Sequence, residues 1–303
     1  MNIKAIIDVG TNSIKFHIAE LTSNGKIKTI LDENNIARIG EGLRETGVLS
    51  PEAMKRNTEA ITEFVNKAKE LNVDEFIGVG TMALRTAKNS DEFVKMVKDA
   101  NGVEIKVITG DEEARLSYLA VLSGLDLQEG ELAIFDTGGG STEFIFGSGK
   151  EISKKFSVNL GSLTISENVL KTDPATEEEI SKALEEIHKT FEAHGASGKV
   201  TQLVGMGGTV TSIGAVKHKM SKYDPDIIQG SKLELSEVEE QIKMYGSKTN
   251  EERQQIVGLQ PKRAEVILAG ACILKVIMER MSMDHLTISD RGLRHGLAYD
   301  LFK

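Results

Sequence analysis

The sequence contains 303 residues with a formal net charge of −9, and 40% of the residues are hydrophobic and 27% charged. This length and composition are typical of a soluble globular protein with two domains and a sizeable core. The acidic balance argues against nucleic acids and anionic membranes as partners, so a polyanionic substrate would need a local basic site or a metal ion.

No targeting or membrane segment is predicted. The apolar N-terminal run is soon interrupted by Asp8, which argues against a signal peptide, and no apolar stretch approaches the roughly 18 residues of a membrane span. We therefore expect a cytoplasmic protein. The single cysteine, Cys272, lies in an apolar run and is expected to be a buried thiol. The six histidines lack the spacing of a zinc site.

The first 125 residues predict a mixed α/β domain. Three short strands between residues 3 and 33 are separated by the turn signals GTNS and TSNG, which is typical of a β-meander. Ser50 and Pro51 match the N-cap and first position of a helix. Strands and helices then alternate. They are predicted at 76–80 (strand), 90–100 (helix), 103–108 (strand) and from Asp111 (helix).

The same order of elements restarts after the polar segment GLDLQEGE (124–131). Another trio of strands, ELAIFDT, STEFIFG and EISKKFSV, is followed by further helical and strand-like patterns. We therefore predict two similar domains, 1–125 and 126–303, with the last helix (292–303) able to join the first domain. The later elements are predicted at 176–194 (helix), 200–206 (strand), 235–246 (helix), 262–282 (helix) and in DHLTIS (strand).

A direct alignment supports this duplication. AIIDVGTNSIKFHI (5–18) lies over AIFDTGGGSTEFIF (133–146) without a gap, and six of fourteen positions are identical. Internal similarity of this kind is expected from a duplicated domain, whose two halves could face each other across an inter-domain cleft. The identical pairs are Ala5/Ala133, Ile6/Ile134, Asp8/Asp136, Gly10/Gly138, Ser13/Ser141 and Phe16/Phe144.

Three glycine-bearing loops predict phosphate binding. The run Gly138–Gly140 indicates a backbone that turns tightly or approaches a ligand closely, and its amides could bind an anion with help from the Ser141 and Thr142 hydroxyls. A plain hairpin turn explains a single loop of this kind equally well. Another glycine pair precedes a helical run, where the helix N-terminus favours anions. The predicted phosphate-binding residues are Thr11, Asn12, Ser13, Gly138, Gly139, Gly140, Ser141, Gly207, Gly208 and Thr209.

Carboxylates beside these loops predict a magnesium site. Asp8 and Asp136 end apolar strands, and magnesium takes one or two carboxylates while keeping several waters. Glu143 lies two residues beyond Ser141, so strand alternation places the two side chains on one face. The alternative is that each aspartate only bonds its own turn amides.

The segment TGDEEARLSYL (109–119) carries a candidate general base. Glu112 and Glu113 fall in the first turn of a predicted helix, where acidic residues ordinarily complement the helix dipole. A carboxylate near a domain junction could instead take a proton from an attacking water. Arg85, in GTMALRTA, could pair with a phosphate or with a carboxylate. These residue patterns alone leave the alternatives open.

Together, these residues resemble the exopolyphosphatase and guanosine pentaphosphate phosphatase family. That family belongs to the superfamily of sugar and acetate kinases, actin and heat-shock chaperone ATPases. The resemblance covers essentially the whole chain. It rests on DVGTNS (8–13), GVGTMALRTAKN (78–89), TGDEEARLSYLAV (109–121), FDTGGGSTEF (135–144), GMGGTVTS (205–212), PKRAEVILAG (261–270) and ISDRGLRHGL (288–297).

The resemblance implies an α/β fold of two actin-like (ribonuclease H-like) domains, each a mixed β-sheet flanked by helices, with an active-site cleft between them. It implies a Mg²⁺-dependent exopolyphosphatase that releases terminal orthophosphate from polyphosphate, or converts guanosine pentaphosphate to guanosine tetraphosphate. The alternatives are an ATP-dependent kinase or ATPase of the same superfamily and a non-catalytic guanosine tetraphosphate-binding protein.

The resemblance also implies roles for single residues. Glu113 would be the general base, and Arg85 would contact the phosphate under attack. Asp136 and Glu143 would organise the metal and the attacking water. The remaining implied contacts are Asp8 as a further metal-side carboxylate, and Lys15 and Arg263 as basic groups facing the substrate.

Longer family members append helices that lengthen a basic channel, whereas this sequence ends at Lys303. We therefore expect short polyphosphate chains or nucleotides as substrates, or a homodimer that supplies further surface. ISDRGLRHGL has His295 where a common form of the block has glutamate. A basic run after the third glycine loop could guide a polyanion, although a solvated helix face is the more ordinary explanation. It comprises Lys217, His218, Lys219 and Lys222.

Overall fold

The computed structural model describes residues 2–127 and 129–303. Gln128, within the polar segment predicted as the boundary, lies outside the described residues. The chain forms two compact units, one of residues up to Ser123 together with Leu293–Lys303 and the other of Gly124–Gly292. Every helix in the described part of the chain is too short or too polar to span a membrane.

Each unit begins with three consecutive strands, and helices with further strands follow. The strands are β1 (Asn2–Val9), β2 (Ile14–Leu21), β3 (Ile27–Asn35), β4 (Glu75–Gly80), β5 (Ile105–Val107), β6 (Glu131–Thr137), β7 (Thr142–Ser148), β8 (Glu151–Val158), β9 (Gln202–Met206), β10 (Lys232–Glu234) and β11 (His285–Ser289). The helices are α1 (Leu43–Thr46), α2 (Pro51–Glu70), α3 (Met82–Thr86), α4 (Ser90–Asn101), α5 (Gly110–Gly124), α6 (Ser162–Asn168), α7 (Glu177–Ala193), α8 (Gly207–Lys217), α9 (Pro225–Ile228), α10 (Leu235–Gly246), α11 (Asn250–Arg253), α12 (Ile267–Arg280) and α13 (Leu293–Phe302).

The first unit is built on a mixed sheet in the order β3-β2-β1-β4-β5. The predicted meander is confirmed, because β1, β2 and β3 pair antiparallel while β4 and β5 run parallel to β1. Helix α2 begins as predicted, with Ser50 accepting a hydrogen bond from the Ala53 amide at 3.1 Å and Pro51 following it. This helix packs on the sheet, where the Phe16 and Phe64 rings stack with centroids 4.4 Å apart.

The C-terminal helix α13 belongs to the first unit and contacts β1, β2 and β3. Arg294 donates two hydrogen bonds to the Asp32 carboxylate on β3, at 2.6 and 2.8 Å. His295 Nε2 lies 3.1 Å from the same carboxylate. Gly296 packs so closely on the Leu116 carbonyl of α5 that a β-carbon would overlap it. A charged cluster and a close helix contact therefore anchor the end of the chain.

The second unit repeats this plan with one extra edge strand, in the order β10-β11-β9-β6-β7-β8. Strands β6, β7 and β8 form the second predicted meander, and β9 and β11 run parallel to β6. Helix α12 is buried over most of its length. Its Cys272 is fully buried, and burial raises the pKa of this thiol to about 12, so the predicted buried thiol is confirmed.

The duplication seen in the sequence extends to strand pairing. Asp8 lies opposite Lys15 in the first hairpin, and Asp136 lies opposite Glu143 in the second, at the same offset of 128 residues. The register also shifts at equivalent places, between Ile18 and Ala19 and between Phe146 and Gly147. Such shifts are β-bulges, which redirect a strand. The two three-stranded meanders therefore share a backbone plan, including the place where β2 shifts against β3 and β7 against β8.

Some element boundaries differ from the predicted ones. The helix predicted at 262–282 begins only at Ile267, because Pro261–Arg263 forms a 3-10 turn. The strand predicted at 103–108 is limited to β5. Helices α3 and α6 were not predicted, since five and seven residues are too few to show a helical period.

Candidate active site

Each duplicated hairpin turn is closed by the same backbone hydrogen bond. The Gly10 amide donates to the Ser13 carbonyl at 3.0 Å, and the Gly138 amide donates to the Ser141 carbonyl at 2.9 Å. Both turns directly follow a strand that contains the predicted metal-side aspartate. The two loops predicted to bind phosphate are therefore closed in the same way and lie at equivalent places in the two units.

Further loop carbonyls accept hydrogen bonds from the amides of other segments of the same unit. In the first loop, the Gly40 amide donates to the Thr11 carbonyl at 2.9 Å, and the Arg38 amide donates to the Asn12 carbonyl at 3.0 Å. This fixes the orientation of both peptide groups.

In the second loop, the N-terminus of α6 has this function. The Ser162 amide donates to the Gly138 carbonyl at 2.9 Å, and the Leu163 and Thr164 amides donate to the Gly139 carbonyl at 2.9 and 3.1 Å. Helix α6 was not predicted from the sequence, although its Gly-Ser start in NLGSLT is a weak helix-start signal.

These bonds leave a set of loop amides for a ligand. Among the residues that the structure describes, the amides of Thr11, Asn12 and Ser13 and those of Gly139, Gly140 and Ser141 have no backbone acceptor. Successive free amides in a turn form an anion-binding concavity. The carbonyls of Thr11, Asn12, Gly138 and Gly139 accept hydrogen bonds from other segments, so these four do not turn towards the anion and repel it.

The tight turn predicted from the glycine run does not require glycine at Gly139 or Gly140. A β-carbon on Gly139 would meet its nearest neighbour at 3.5 Å, one on Gly140 would meet nothing within 4 Å, and neither residue has a left-handed φ. Thr11 and Asn12 occupy the corresponding positions in the first loop. The turn therefore does not require glycine at these two positions, and the absent side chains leave the amides open to an approaching ligand.

Glycine is required instead at Gly161, where a β-carbon would overlap the Gly139 carbonyl. This glycine lets the start of α6 approach the second loop closely enough to hold its carbonyls. Its role was not predicted, because the contact joins residues more than twenty positions apart.

Two threonine hydroxyls beside the loops donate hydrogen bonds to backbone carbonyls of the fold. Thr142 Oγ1 donates to the Leu160 carbonyl at 2.7 Å, and Thr209 Oγ1 donates to the Thr137 carbonyl at 2.8 Å. Both side chains are buried. The expected help of the Thr142 hydroxyl in anion binding is therefore wrong, and Thr209 can offer a ligand only its backbone amide.

The third glycine loop contacts two of the predicted site residues, Asp136 and Arg263. Gly207 has a left-handed φ of 82° and lies against the Asp136 carboxylate, while Gly208 lies against the Arg263 guanidinium. A side chain at either glycine would overlap these groups. Burial lowers the pKa of Arg263, and the nearby Asp136 charge opposes this effect. The second unit therefore brings Asp136 and Arg263 together at the start of α8.

Asp136 and Glu143 are directly opposite each other in the ladder, so their side chains lie on one face of the sheet. Ser157 Oγ on β8 donates to Glu143 Oε1 at 2.9 Å and orients that carboxylate. No group of three or more His, Cys, Asp and Glu within reach of one metal occurs in residues 2–127 or 129–303. This pair of oxygen donors suits a cation that retains water ligands, such as Mg²⁺.

The first hairpin has different electrostatics at the same place. Asp8 is only 3% exposed, and Lys15 Nζ lies 3.9 Å from Asp8 Oδ2. Burial raises the pKa of Asp8 above its ordinary value, and the charges of Lys15 and Arg294 act in the opposite direction. A buried carboxylate paired with an ammonium therefore takes the place of the two carboxylates of the second hairpin.

The two glutamates at the start of α5 have different partners. Glu113 Oε2 accepts a hydrogen bond from Arg85 Nη1 at 3.1 Å, and both side chains are about one-third exposed, at 34% and 33%. Arg85 Nη1 also donates to the Ile108 carbonyl at 2.9 Å, which fixes the guanidinium. Arg85 and Glu113, predicted from separate blocks, are therefore in direct contact.

Glu112 instead belongs to a structural network. It accepts two hydrogen bonds from Arg115, which also pairs with Asp300 of α13. The hydrogen bond from Arg115 lowers the pKa of Glu112. The two neighbouring glutamates therefore belong to different ion pairs, Glu112 with Arg115 and Glu113 with Arg85.

The family model described as the Ppx/GppA phosphatase family matches residues 18–303. Exopolyphosphatase 2 of Mycobacterium tuberculosis is 30% identical over 312 residues, which cover 98% of this chain and 98% of that protein.

Two relatives are longer. The guanosine-5′-triphosphate,3′-diphosphate pyrophosphatase of Photobacterium profundum is 30% identical, and the alignment covers 98% of this chain but 59% of that protein. The bifunctional 3-dehydroquinate synthase/phosphatase of Fusobacterium nucleatum is 31% identical over 95% of this chain and 45% of that protein. The chain therefore spans about half the length of these two relatives.

Solved structures share the fold. The Ppx/GppA family member of Aquifex aeolicus is 34% identical, with a TM-score of 0.90 over 99% of this chain and 97% of that one. An exopolyphosphatase of Cytophaga hutchinsonii is 25% identical, with a TM-score of 0.82 over 99% and 98% of the two chains. The predicted fold of two actin-like α/β domains is confirmed. The chain belongs to the Ppx/GppA phosphatase family.

Proposed function

We propose that this protein hydrolyses a terminal phosphoanhydride bond, releasing orthophosphate from inorganic polyphosphate or from the 5′ end of guanosine pentaphosphate. The observation that carries the proposal is the pair of equivalent loops. In each loop, carbonyls accept hydrogen bonds from other segments, and three successive amides have no backbone acceptor and can bind an anion. The names of the relatives, exopolyphosphatase and guanosine-5′-triphosphate,3′-diphosphate pyrophosphatase, support the same substrate class.

The loops would bind the phosphoryl groups through their amides, and nearby cations would balance the charge. Lys15 follows the first loop, and Arg263 lies against the third. Such preorganised donors act on the transition state without reorganising, which is the main contribution of a protein to phosphoryl transfer. Because the chain has a net charge of −9, this local basic character is needed to bind a polyanion.

Asp136 and Glu143 are proposed to hold Mg²⁺, and Asp8 is proposed as a further metal-side carboxylate. The second hairpin fits this ion because two carboxylates face the same way, one oriented by Ser157. When bound, Mg²⁺ would neutralise charge on the phosphate oxygens.

Glu113 is proposed as the general base. Its carboxylate would accept a proton from a water molecule as the water oxygen forms a bond to the terminal phosphorus. The bond from that phosphorus to the bridging oxygen then breaks, and the bridging oxygen leaves with the shortened substrate. Arg85 holds the carboxylate in place and would also contact the phosphate under attack. A homodimer and a cytoplasmic location stay predictions from the sequence.

The test is an assay of phosphate release with and without Mg²⁺. Substrates are polyphosphates of defined length, guanosine pentaphosphate and ATP, and enzymes are the wild type, Glu113→Gln and Glu112→Gln. We expect Glu113→Gln to lower turnover by about 10²- to 10⁴-fold, the usual range for loss of a general base. Glu112→Gln is the matched control, because its carboxylate pairs with Arg115, and its turnover should stay near the wild-type value.

Other outcomes would change the conclusion. Unchanged turnover in Glu113→Gln would remove this residue from the proposed role. Transfer of phosphate from ATP to a metabolite would favour a kinase. Binding of guanosine tetraphosphate without phosphate release from any substrate would favour a non-catalytic binding protein.

A further inference from the structure

Arg38 lies in the segment that holds the first phosphate loop, between β3 and α1. Its amide donates to the Asn12 carbonyl of the loop at 3.0 Å. Helix α2 fixes the same segment, because Arg56 Nε donates to the Ala37 carbonyl at 2.8 Å and Arg56 Nη2 donates to the Arg38 carbonyl at 3.3 Å. The backbone of Arg38 is therefore bonded both to the loop and to α2.

The charge of the Arg38 side chain is not balanced in this way. The side chain is exposed, and its guanidinium has no hydrogen-bond or ion-pair partner among the residues that the structure describes. Two neighbouring cations are engaged, since Arg56 pairs with Glu41 at 2.8 Å and Lys15 Nζ lies 3.9 Å from Asp8 Oδ2. Arg38 therefore keeps its charge for a ligand beside the loop.

The backbone conformation of Arg38 is unusual for a residue that has a side chain. Its φ of 47° lies in the left-handed region, where a β-carbon causes strain. In the described part of the chain, the other non-glycine residues with positive φ each directly follow the C-cap of a helix, where this conformation is ordinary. These are Asn72, Lys219 and Ser282. Arg38 follows a strand instead, so a helix end does not account for its conformation.

Glycine would serve the backbone at position 38 with less strain. It adopts a left-handed φ without a β-carbon, and it would keep the amide that bonds the Asn12 carbonyl. The chain nevertheless has arginine there. A strained residue that is retained beside a binding loop indicates that its side chain has a function.

The Arg38 side chain is long enough to reach a ligand at the loop. A trans peptide places its N–H opposite its carbonyl, so an anion bound by the Ser13 amide lies within about 8 Å of the Arg38 nitrogen that bonds the Asn12 carbonyl. An extended arginine places its terminal nitrogens about 7 Å from Cα. The guanidinium can therefore contact a phosphate group adjacent to the one at the loop amides.

We infer that Arg38 is a specificity-determining residue, which binds a second phosphate group of the substrate next to the group bound by the amides of residues 11–13. The planar guanidinium presents two donors to two oxygens of that group. This inference rests on the proposed function and deepens it, because it assigns a residue that recognises a chain of phosphates rather than a single one. Since Arg38 contacts a group that does not react, it binds the ground state and the transition state alike and acts on KM rather than on kcat.

The test measures KM, kcat and Tm with tripolyphosphate as the substrate. Arg38→Gly relieves the backbone strain and Arg38→Gln retains it, so an effect of strain would separate the two variants. Loss of the charge is common to both, and each should raise KM about 10-fold with little change in kcat. Arg38→Lys keeps the charge but not the planar fork and should raise KM about 3-fold. Arg38→Gly should not lower Tm.

Arg44→Ala is the matched control, because Arg44 is an exposed arginine of α1 and its removal changes the net charge equally. It should leave KM near the wild-type value. The inference is overturned if Arg38→Gln leaves KM unchanged, if it lowers kcat without raising KM, or if Arg44→Ala raises KM as much, as general attraction of a polyanion would.

Failure of the proposed hydrolase function is a separate result, in which the wild type releases phosphate from neither tripolyphosphate nor guanosine pentaphosphate. Calorimetric binding of tripolyphosphate to the wild type and to Arg38→Gln then decides the role of Arg38. Binding that is about 10-fold weaker in the variant supports the inference. Equal binding, or no binding to the wild type, overturns it.

Discussion

Hairpin β1–β2 and hairpin β6–β7 have the same register and the same turn-closing hydrogen bond, and the pairing of β2 with β3 and of β7 with β8 shifts at the same offset. Their side chains differ at the position opposite the aspartate. The first hairpin has Lys15 there, and the second has Glu143. A duplicated backbone thus carries an ion pair in one unit and a pair of carboxylates in the other.

The loops differ in how their carbonyls are held. An irregular segment, 38–40, holds those of the first loop, and the N-terminus of α6 holds those of the second. The first loop has side chains at Thr11 and Asn12, whereas the second has glycine at both corresponding positions, 139 and 140. The common requirement is the orientation of the peptide groups, and different surroundings can meet it.

The largest expected effect comes from making the second hairpin resemble the first. Glu143→Lys replaces a proposed metal ligand with a cation beside Asp136, so we expect Mg²⁺-dependent turnover to fall more than about 100-fold. Loss of an outer-shell partner alone already costs 10- to 100-fold in metal sites. Phosphate release is measured over a range of Mg²⁺ concentrations, with Glu151→Lys on the exposed start of β8 as the control. Retention of wild-type turnover at low Mg²⁺ would contradict the proposed metal role of this hairpin.

The next largest effect concerns stability, and it distinguishes a glycine that the second loop requires from one that it does not. Gly161→Ala should lower the free energy of unfolding by about 1–3 kcal/mol, because its β-carbon would overlap the Gly139 carbonyl. Gly139→Ala should instead leave it unchanged or raise it by about 0.4–1 kcal/mol, since the site has room and alanine restricts the unfolded chain. Urea denaturation of the two variants decides between these expectations, and equal destabilisation would refute the distinction.

A third difference concerns a buried histidine. His17 on β2 is 1% exposed and packs against His295 with ring centroids 4.6 Å apart and ring planes inclined by 49°, whereas the equivalent residue of the second hairpin is Ile145. Burial, and next the neighbouring His295, lower the pKa of His17 to about 3. The unfolded chain therefore binds a proton near pH 6.5 that the folded chain does not bind until near pH 3, and stability falls as the pH drops through this window.

His17→Ile, which introduces the residue of the second hairpin, should remove this pH dependence. We expect the loss in free energy of unfolding between pH 7 and pH 5 to shrink by about 1–2 kcal/mol relative to the wild type. The measurement is urea denaturation at both pH values, and only the difference between them matters. An unchanged pH dependence would show that His17 is not the titrating group.

The smallest expected effect is on the thermal stability contributed by Asp8. The raised pKa of Asp8 shows that burial of its charge costs stability, and this cost is fully present above the raised folded pKa and is relieved as the pH falls through it. Asp8→Asn should therefore raise Tm at pH 7 while lowering turnover. Lys15 and Arg294 offset part of the cost, which keeps the gain in Tm small. A lower Tm at pH 7 would indicate that the ion pair with Lys15 outweighs the burial.

Much of the plan followed from the sequence alone. The alignment of residues 5–18 with 133–146 predicted two similar units, because strand and turn patterns are local and survive in residue order. Local patterns also located the loops, the strand-end aspartates and Glu113. They could not show why two adjacent glutamates differ, since that depends on Arg85 and Arg115.

The tertiary structure decided what depends on contacts between distant segments. The sequence indicated a tight turn at Gly139 and Gly140, yet glycine is needed at Gly161, where α6 approaches the loop. The Thr142 hydroxyl, expected to bind an anion, serves a carbonyl 18 residues away. Composition and spacing determine which groups a chain has, whereas burial and the pairing of hydrogen bonds determine which of those groups are available to a ligand.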